Sequence, residues 1–243
     1  MKKFIAAFDG YKFSESTLDY TIYLASQVNA HIVGVFLDDA IYHTYGYKEI
    51  VTHEGSSLEE SVHQWNEEDR MHRDESVKMF EGVCRREGLM FSIHRDKNVA
   101  LQELIHESIY ADLLIINSKE SFNYIKEDSP SRFLRDLLSD VQCPVLLVPD
   151  HFGEFDKLTI LYDGEPASVH AIKMFSYLLS IFKKLDTDVI TIRDEDNSMH
   201  LPDHRLMKEF MKRHFPKAEY QVFKGLAEDQ ILSVLHHQKE ISL

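Results

Sequence analysis

A short, solidly apolar segment ending in Asp-Gly occurs twice in this chain, 154 residues apart. Phe4-Ile5-Ala6-Ala7-Phe8 runs into Asp9-Gly10, and Leu158-Thr159-Ile160-Leu161-Tyr162 runs into Asp163-Gly164. Each reads as a strand closed by a turn signal. At roughly 100–200 residues per domain, 243 residues would hold one large domain or two small ones. The repeat decides for two copies.

The elements between the repeats set the fold class. After Asp9-Gly10, Ser16 with Asp19 three residues on predicts a helix start, with Leu18, Ile22 and Ala25 at helical spacing. His31–Leu37 reads as a second strand, and 38–57 as a long loop carrying Tyr42, Tyr45, Tyr47, His43 and His53. A charged helical pattern from Leu58 to Glu87 stops at Gly88. A third strand is expected at Met90–His94, a helix capped by Asn98, and a fourth strand at Leu113–Ile116. Ser129-Pro130 then opens a helix, and Val145–Val148 is the fifth strand. Strands alternating with helices, the strands being unbroken apolar runs, predict a parallel sheet covered on both faces. The first domain is expected over 1–150 and the second over 157–243, joined by the polar linker Asp150–Asp156.

The second copy continues with a helix containing Ile172, Phe175 and Leu179, a strand at Asp188–Ile192, a helix at Asp203–Phe215, a strand at Glu219–Phe223 and a helix at Leu226–His237. Matching Phe91 and Ile93 to Tyr220 and Val222 gives an offset of 129, so Ala111 corresponds to Glu240. The second copy is therefore expected to be incomplete, without its fourth strand, final helix and fifth strand. Its first strand would then present unpaired N–H and C=O groups along an edge. Either the sequence is a fragment, which is the favoured expectation, or another chain or the first domain covers that edge.

Phe8-Asp9-Gly10, Ala111-Asp112-Leu113-Leu114-Ile115-Ile116 and Cys143-Pro144-Val145-Leu146-Leu147-Val148-Pro149 together resemble the universal stress protein family in its tandem form. The resemblance implies an open five-stranded parallel sheet in the order 3-2-1-4-5, of the adenine-nucleotide alpha-hydrolase-like kind. It also implies paired copies, a cytoplasmic location, and ATP binding in some members only.

In a sheet of that order a ligand would lie where strands one and four end. The tentative ligand-binding set is Asp9, Gly10, Asn117, Ser118, Lys119, Ser129 and Ser131. Asp9 is able to accept hydrogen bonds from a ribose or adenine, as the family's matching Asp does, or simply to shape the turn and cap the next helix. Ser129 or Ser131, at a helix N-terminus, would face a phosphate, and Lys119 would add charge. Against ATP, the family's binding members follow strand four with Gly-x-x-Gly, nine residues and Gly-Ser/Thr. This chain has Asn117-Ser118-Lys119-Glu120-Ser121 there and no glycine between Gly88 and Gly153. Without glycines, side chains crowd the backbone amides that would close on phosphates. No cofactor is expected; the alternative is ATP or another adenine nucleotide.

Twenty-seven Lys and Arg against 41 Asp and Glu leave a net charge of −14. Such a surface repels phosphate backbones and anionic lipid, so neither nucleic acid nor membrane is expected as a partner. No apolar run approaches the ~20 residues that span a bilayer. Cys84 and Cys143 make no disulfide framework and match no zinc spacing. The fourteen histidines read as surface residues, His43 and His53 being the nearest to a metal pair. No phosphate loop, nucleophile turn or zinc helix is present, so no enzyme is expected. Trp65 and Met71 on the long helix are candidates for docking on the second copy or a second subunit. The resulting expectation is a cytoplasmic, non-enzymatic stress-response module acting as a homodimer or on a protein partner. The alternative is a nucleotide or small-ligand sensor built around Asp9.

Overall fold

Phe4 to Phe8 are each no more than 2% exposed in the computed structural model of the chain, which places their strand at the middle of a sheet. The structure describes residues 1–9, 12–37, 58–96, 100–122, 128–193 and 199–241, without side chains for 58–69, Asp96 and 235–241. Two units separate, Met1–Gly153 and Glu154–Leu243.

In the first unit, β1 (Lys3–Asp9) pairs in parallel with β2 (His31–Leu37), from Lys3 with His31 to Asp9 with Leu37. Its other edge pairs with β4 (Leu113–Asn117). β3 (Phe91–Asp96) lies outside β2 and β5 (Val145–Val148) outside β4. The order is 3-2-1-4-5. On one face Ile5, Ala7, Val33 and Leu114 pack with Leu104 of α3 (Ala100–Ser108) and with Leu134 and Leu137 of α4 (Arg132–Asp140). The opposite face carries rings: Phe8 stacks on Phe36 at 5.1 Å, and both meet Phe80 of α2 (Leu58–Arg86) edge-on at 5.7 Å.

Gly34 leaves room for that ring. A Cβ built there would lie 2.8 Å from Phe80 Cζ and 3.1 Å from Phe36 Cε2. Gly34→Ala is expected to destabilise the first unit by about 1–3 kcal/mol through overpacking, read as a lower denaturation midpoint with unchanged slope.

Two helix starts differ from expectation. α1 (Glu15–Val28) is capped by Ser14, not Ser16: the extended Ser14 accepts the Thr17 amide at 3.2 Å, and the Thr17 hydroxyl adds a bond of 2.9 Å. The Ser16 hydroxyl instead donates to the Pro149 carbonyl at 2.6 Å, tying α1 to the end of β5. Likewise Ser129-Pro130 precedes α4, whose cap is Ser131. In both cases the residue with extended backbone and its oxygen on the third amide inward becomes the cap. Asn98 and the loop 38–57, with its tyrosines and histidines, lie outside the described residues, as does the Trp65 side chain. Met71 is 61% exposed.

The second unit runs β6 (Lys157–Leu161), α5 (Pro166–Leu178), a 3-10 turn (Ser180–Lys184), β7 (Asp186–Arg193), α6 (His204–His214), β8 (Ala218–Lys224) and α7 (Ala227–Ile241). Its sheet has the order β6-β7-β8. Among the described residues β6 pairs only with β7, so it lies at an edge as expected. Val189 of β7 and Met207 and Met211 of α6 centre its core. Gly164 has φ +96°, and a Cβ there would come within 2.8 Å of Pro202, so the second Asp-Gly turn needs its glycine twice over.

The strand ladders correct the repeat offset. Ile32 faces Phe91 in the first sheet and Thr187 faces Ala218 in the second, which sets the third strands 127 residues apart rather than 129. Phe80 and Cys84 then correspond to Met207 and Met211, all buried. A two-residue slip keeps every side chain on its face, so the apolar pattern alone could not expose the error.

Candidate functional site

β1 and β4 end side by side at the switch point, and each predicted residue can be placed there except Gly10, which lies outside the described residues. Asp9, the last residue of β1, is buried. Asn117 ends β4; its amide donates to Ser14 Oγ at 3.4 Å and Asp150 Oδ1 at 3.3 Å, while its Oδ1 accepts the Lys119 amide at 2.8 Å. The Ser118 amide donates to the Val148 carbonyl at 2.8 Å. Lys119 forms an ion pair with Asp150, whose carboxyl it holds below the usual range by a hydrogen bond. The Ser129 hydroxyl points back to the Ser118 carbonyl at 3.5 Å. Ser131 is buried; its oxygen accepts the Leu134 amide at 3.2 Å and its hydroxyl donates to the Glu120 carbonyl at 2.5 Å.

The residue that organises this end of the sheet is Glu120, which the predicted set omits. Its Oε1 accepts the amides of Ser121 and Phe122 at 3.0 and 3.2 Å. Phe122 has φ 47°, and successive amides leading into a left-handed residue form a concavity suited to an anion. Here the two amides meet the chain's own Glu120 carboxyl. Burial and the neighbouring Asp9 charge push the Glu120 carboxyl up to about 7, against the pull of its two amide donors and Lys12.

Among the described residues, Lys119, Ser131 and the loop amides, which would meet a phosphate, are thus engaged. Lys119 holds Asp150, Ser131 holds the α4 amide and Glu120, and the loop amides hold Glu120. Elsewhere among the described residues, no three His, Cys, Asp or Glu side chains gather as metal ligands. Cys84 and Cys143 are buried, which pushes both thiols up to about 11 and away from reactive thiolates. No helix among the described residues is long and apolar enough to cross a membrane.

A universal stress protein from Archaeoglobus fulgidus DSM 4304 superposes over 99% of this chain and 82% of its own, with TM-score 0.62 and 16% identity. The fold is that of the universal stress proteins. A functionally unknown protein from Pseudomonas aeruginosa PAO1 matches over 98% of this chain and 78% of its own, at TM-score 0.56 and 13% identity. A candidate universal stress protein from Pseudomonas aeruginosa UCBPP-PA14 matches over 98% and 79%, at 0.53 and 12%. No family model matches the sequence, and no curated protein does. On this fold the chain places Glu120 at the switch point, with its carboxyl on the Ser121 and Phe122 amides.

Proposed function

We propose that this chain is a tandem universal stress protein acting as a non-enzymatic, cytoplasmic module, through self-association or a protein partner, without ATP binding of the family's usual kind. One observation carries the reading: the loop amides that would receive a phosphate are held by the Glu120 carboxylate, 3.0 and 3.2 Å away. A triphosphate does not fit these residues, since it would have to displace one carboxylate beside a second, Asp9, and break the Lys119–Asp150 pair. The burial of Asp9 at the end of β1 favours a second reading, a sensor for a smaller ligand that reaches Asp9 without entering the loop.

Calorimetric titration with Mg-ATP, on protein shown to carry no co-purified nucleotide, tests this. No saturable heat is expected up to millimolar ATP. A micromolar isotherm would overturn the reading and move the function to a nucleotide sensor, with Asp9→Ala as the next variant. Sedimentation velocity across a concentration series should show a dimer unaffected by nucleotide; a monomer at every concentration would remove self-association.

A further inference from the structure

One face of α2 carries a glycine that the fold does not require. Over the part of α2 whose side chains are described, Ser76, Phe80 and Cys84 face the sheet and are buried. On the opposite side Met71, Glu75, Lys78, Gly82 and Arg85 are all exposed. Their spacing of four, three, four and three keeps them on one line, as along the seam between two packed helices. Among the described residues, a Cβ at Gly82 would meet nothing within 4 Å. A glycine inside a solvated helix costs stability relative to alanine or a long polar residue. Nothing described in the first unit offsets that cost, whereas the close approach of a second helix backbone does.

The charges along α2 say which helix fits. A chain of net charge −14 repels its own copy at long range, so contact between copies has to set opposite charges face to face. Residues 58–77 carry seven acids against two Lys or Arg, and residues 78–86 carry three Lys or Arg against one acid. A parallel pair of these helices would set each charge against itself. An antiparallel pair crossing at the level of Phe80 sets the acidic part of each helix against the basic part of the other.

In that register Glu75 of each copy faces Arg85 of the other, and both contacts occur twice about a two-fold axis. Lys78 lies over Gly82, where its apolar stem fills the gap and its ammonium reaches water. Met71, 61% exposed, falls at the level of Met90, 47% exposed, in the chain leaving the helix. Within one copy Glu75 meets His72 at 3.9 Å and Arg85 meets Glu81 at 3.1 Å. Exposed pairs of this kind contribute little, so an exchange of partners costs little.

We infer that the outer face of α2 is where a second copy of this chain docks, antiparallel, with Gly82 of each copy beneath Lys78 of the other and Glu75 against Arg85. The inference rests on the self-association reading above and names the surface that carries it.

The test is sedimentation equilibrium of the full chain over a concentration series. Glu75→Lys and Arg85→Glu each set like charges together at both contacts, and each is expected to weaken the dimer about tenfold. Mixed one to one, the two variants form a heterodimer in which both contacts again join opposite charges, and association returns to the wild-type strength. That recovery also shows that neither variant has lost its fold. Gly82→Gln is expected to weaken the dimer about tenfold by filling the gap, while raising the denaturation midpoint of the chain through its better helix propensity. A wild-type dimer that Gly82→Gln or the charge variants leave unchanged would overturn α2 as the surface and leave self-association standing. So would two weakened variants that stay monomeric when mixed. A wild-type monomer at every concentration would overturn both.

Discussion

Phe80→Ala is expected to cost about 3–5 kcal/mol, enough to unfold much of the first unit at ordinary temperature. The described part of α2 reaches the sheet through Ser76, Phe80 and Cys84, one turn apart on a single stripe. Phe80 is the large member and is fully buried. Its ring meets Phe8 and Phe36 at 5.7 Å and Phe91 at 5.8 Å, and it fills the space above Gly34. Truncation removes the ring's transfer free energy and leaves a cavity walled by three aromatic rings and a strand backbone, none of which can collapse into it cheaply. Met79, the adjacent helix residue, is 46% exposed, so Met79→Ala should stay within about 0.5 kcal/mol. The loss is read from urea denaturation midpoints followed by circular dichroism. A loss below 1 kcal/mol for Phe80→Ala would mean that α2 does not depend on this contact.

The strands were readable because burial on both faces leaves little choice of residue. β2 and β5 fall where unbroken apolar runs predict them, and the order 3-2-1-4-5 is the one the family resemblance implies. Helix starts were less readable, because two serines two residues apart are chemically equal and only tertiary contacts decide between them. Ser16 is drawn away by the Pro149 carbonyl, 133 residues distant, which no local pattern announces. The repeat register slipped by two because a period-2 signal is blind to that shift.

At the switch point the missing glycines were visible, but not what replaced them. The sequence shows Glu120 as negative charge where a triphosphate would lie, but not that its side chain takes the loop's amides. Its role depends on the left-handed Phe122 backbone, which turns two amides toward the preceding side chain. A bulky residue with positive φ carries strain that its surroundings must outweigh. The Glu120 carboxylate and the Ser131 hydroxyl that holds the Glu120 carbonyl are two such restraints. Those two contacts make Glu120 part of the loop's architecture as well as its occupant, so removing the charge and removing the side chain are different experiments.

Glu120→Gln removes the charge and keeps an oxygen for the two amides. The folded chain holds the Glu120 proton up to about pH 7, against an ordinary value of 4.5. Between those values the folded state carries a proton that the unfolded state has released, so stability falls as pH rises through the window. The contribution is fully present below 4.5 and lost above 7, and at 1.36 kcal/mol per unit it amounts to about 3 kcal/mol. His214 acts in the opposite sense, since its lowered folded value adds stability above 6.5 that is lost as pH falls. It is common to both proteins and cancels in their difference. Denaturant midpoints of wild type and Glu120→Gln, followed from pH 4.5 to 8, should therefore diverge steadily, with the variant the more stable at pH 8. Parallel curves would show that the Glu120 carboxyl ionises as it does in water, unaffected by burial or by Asp9.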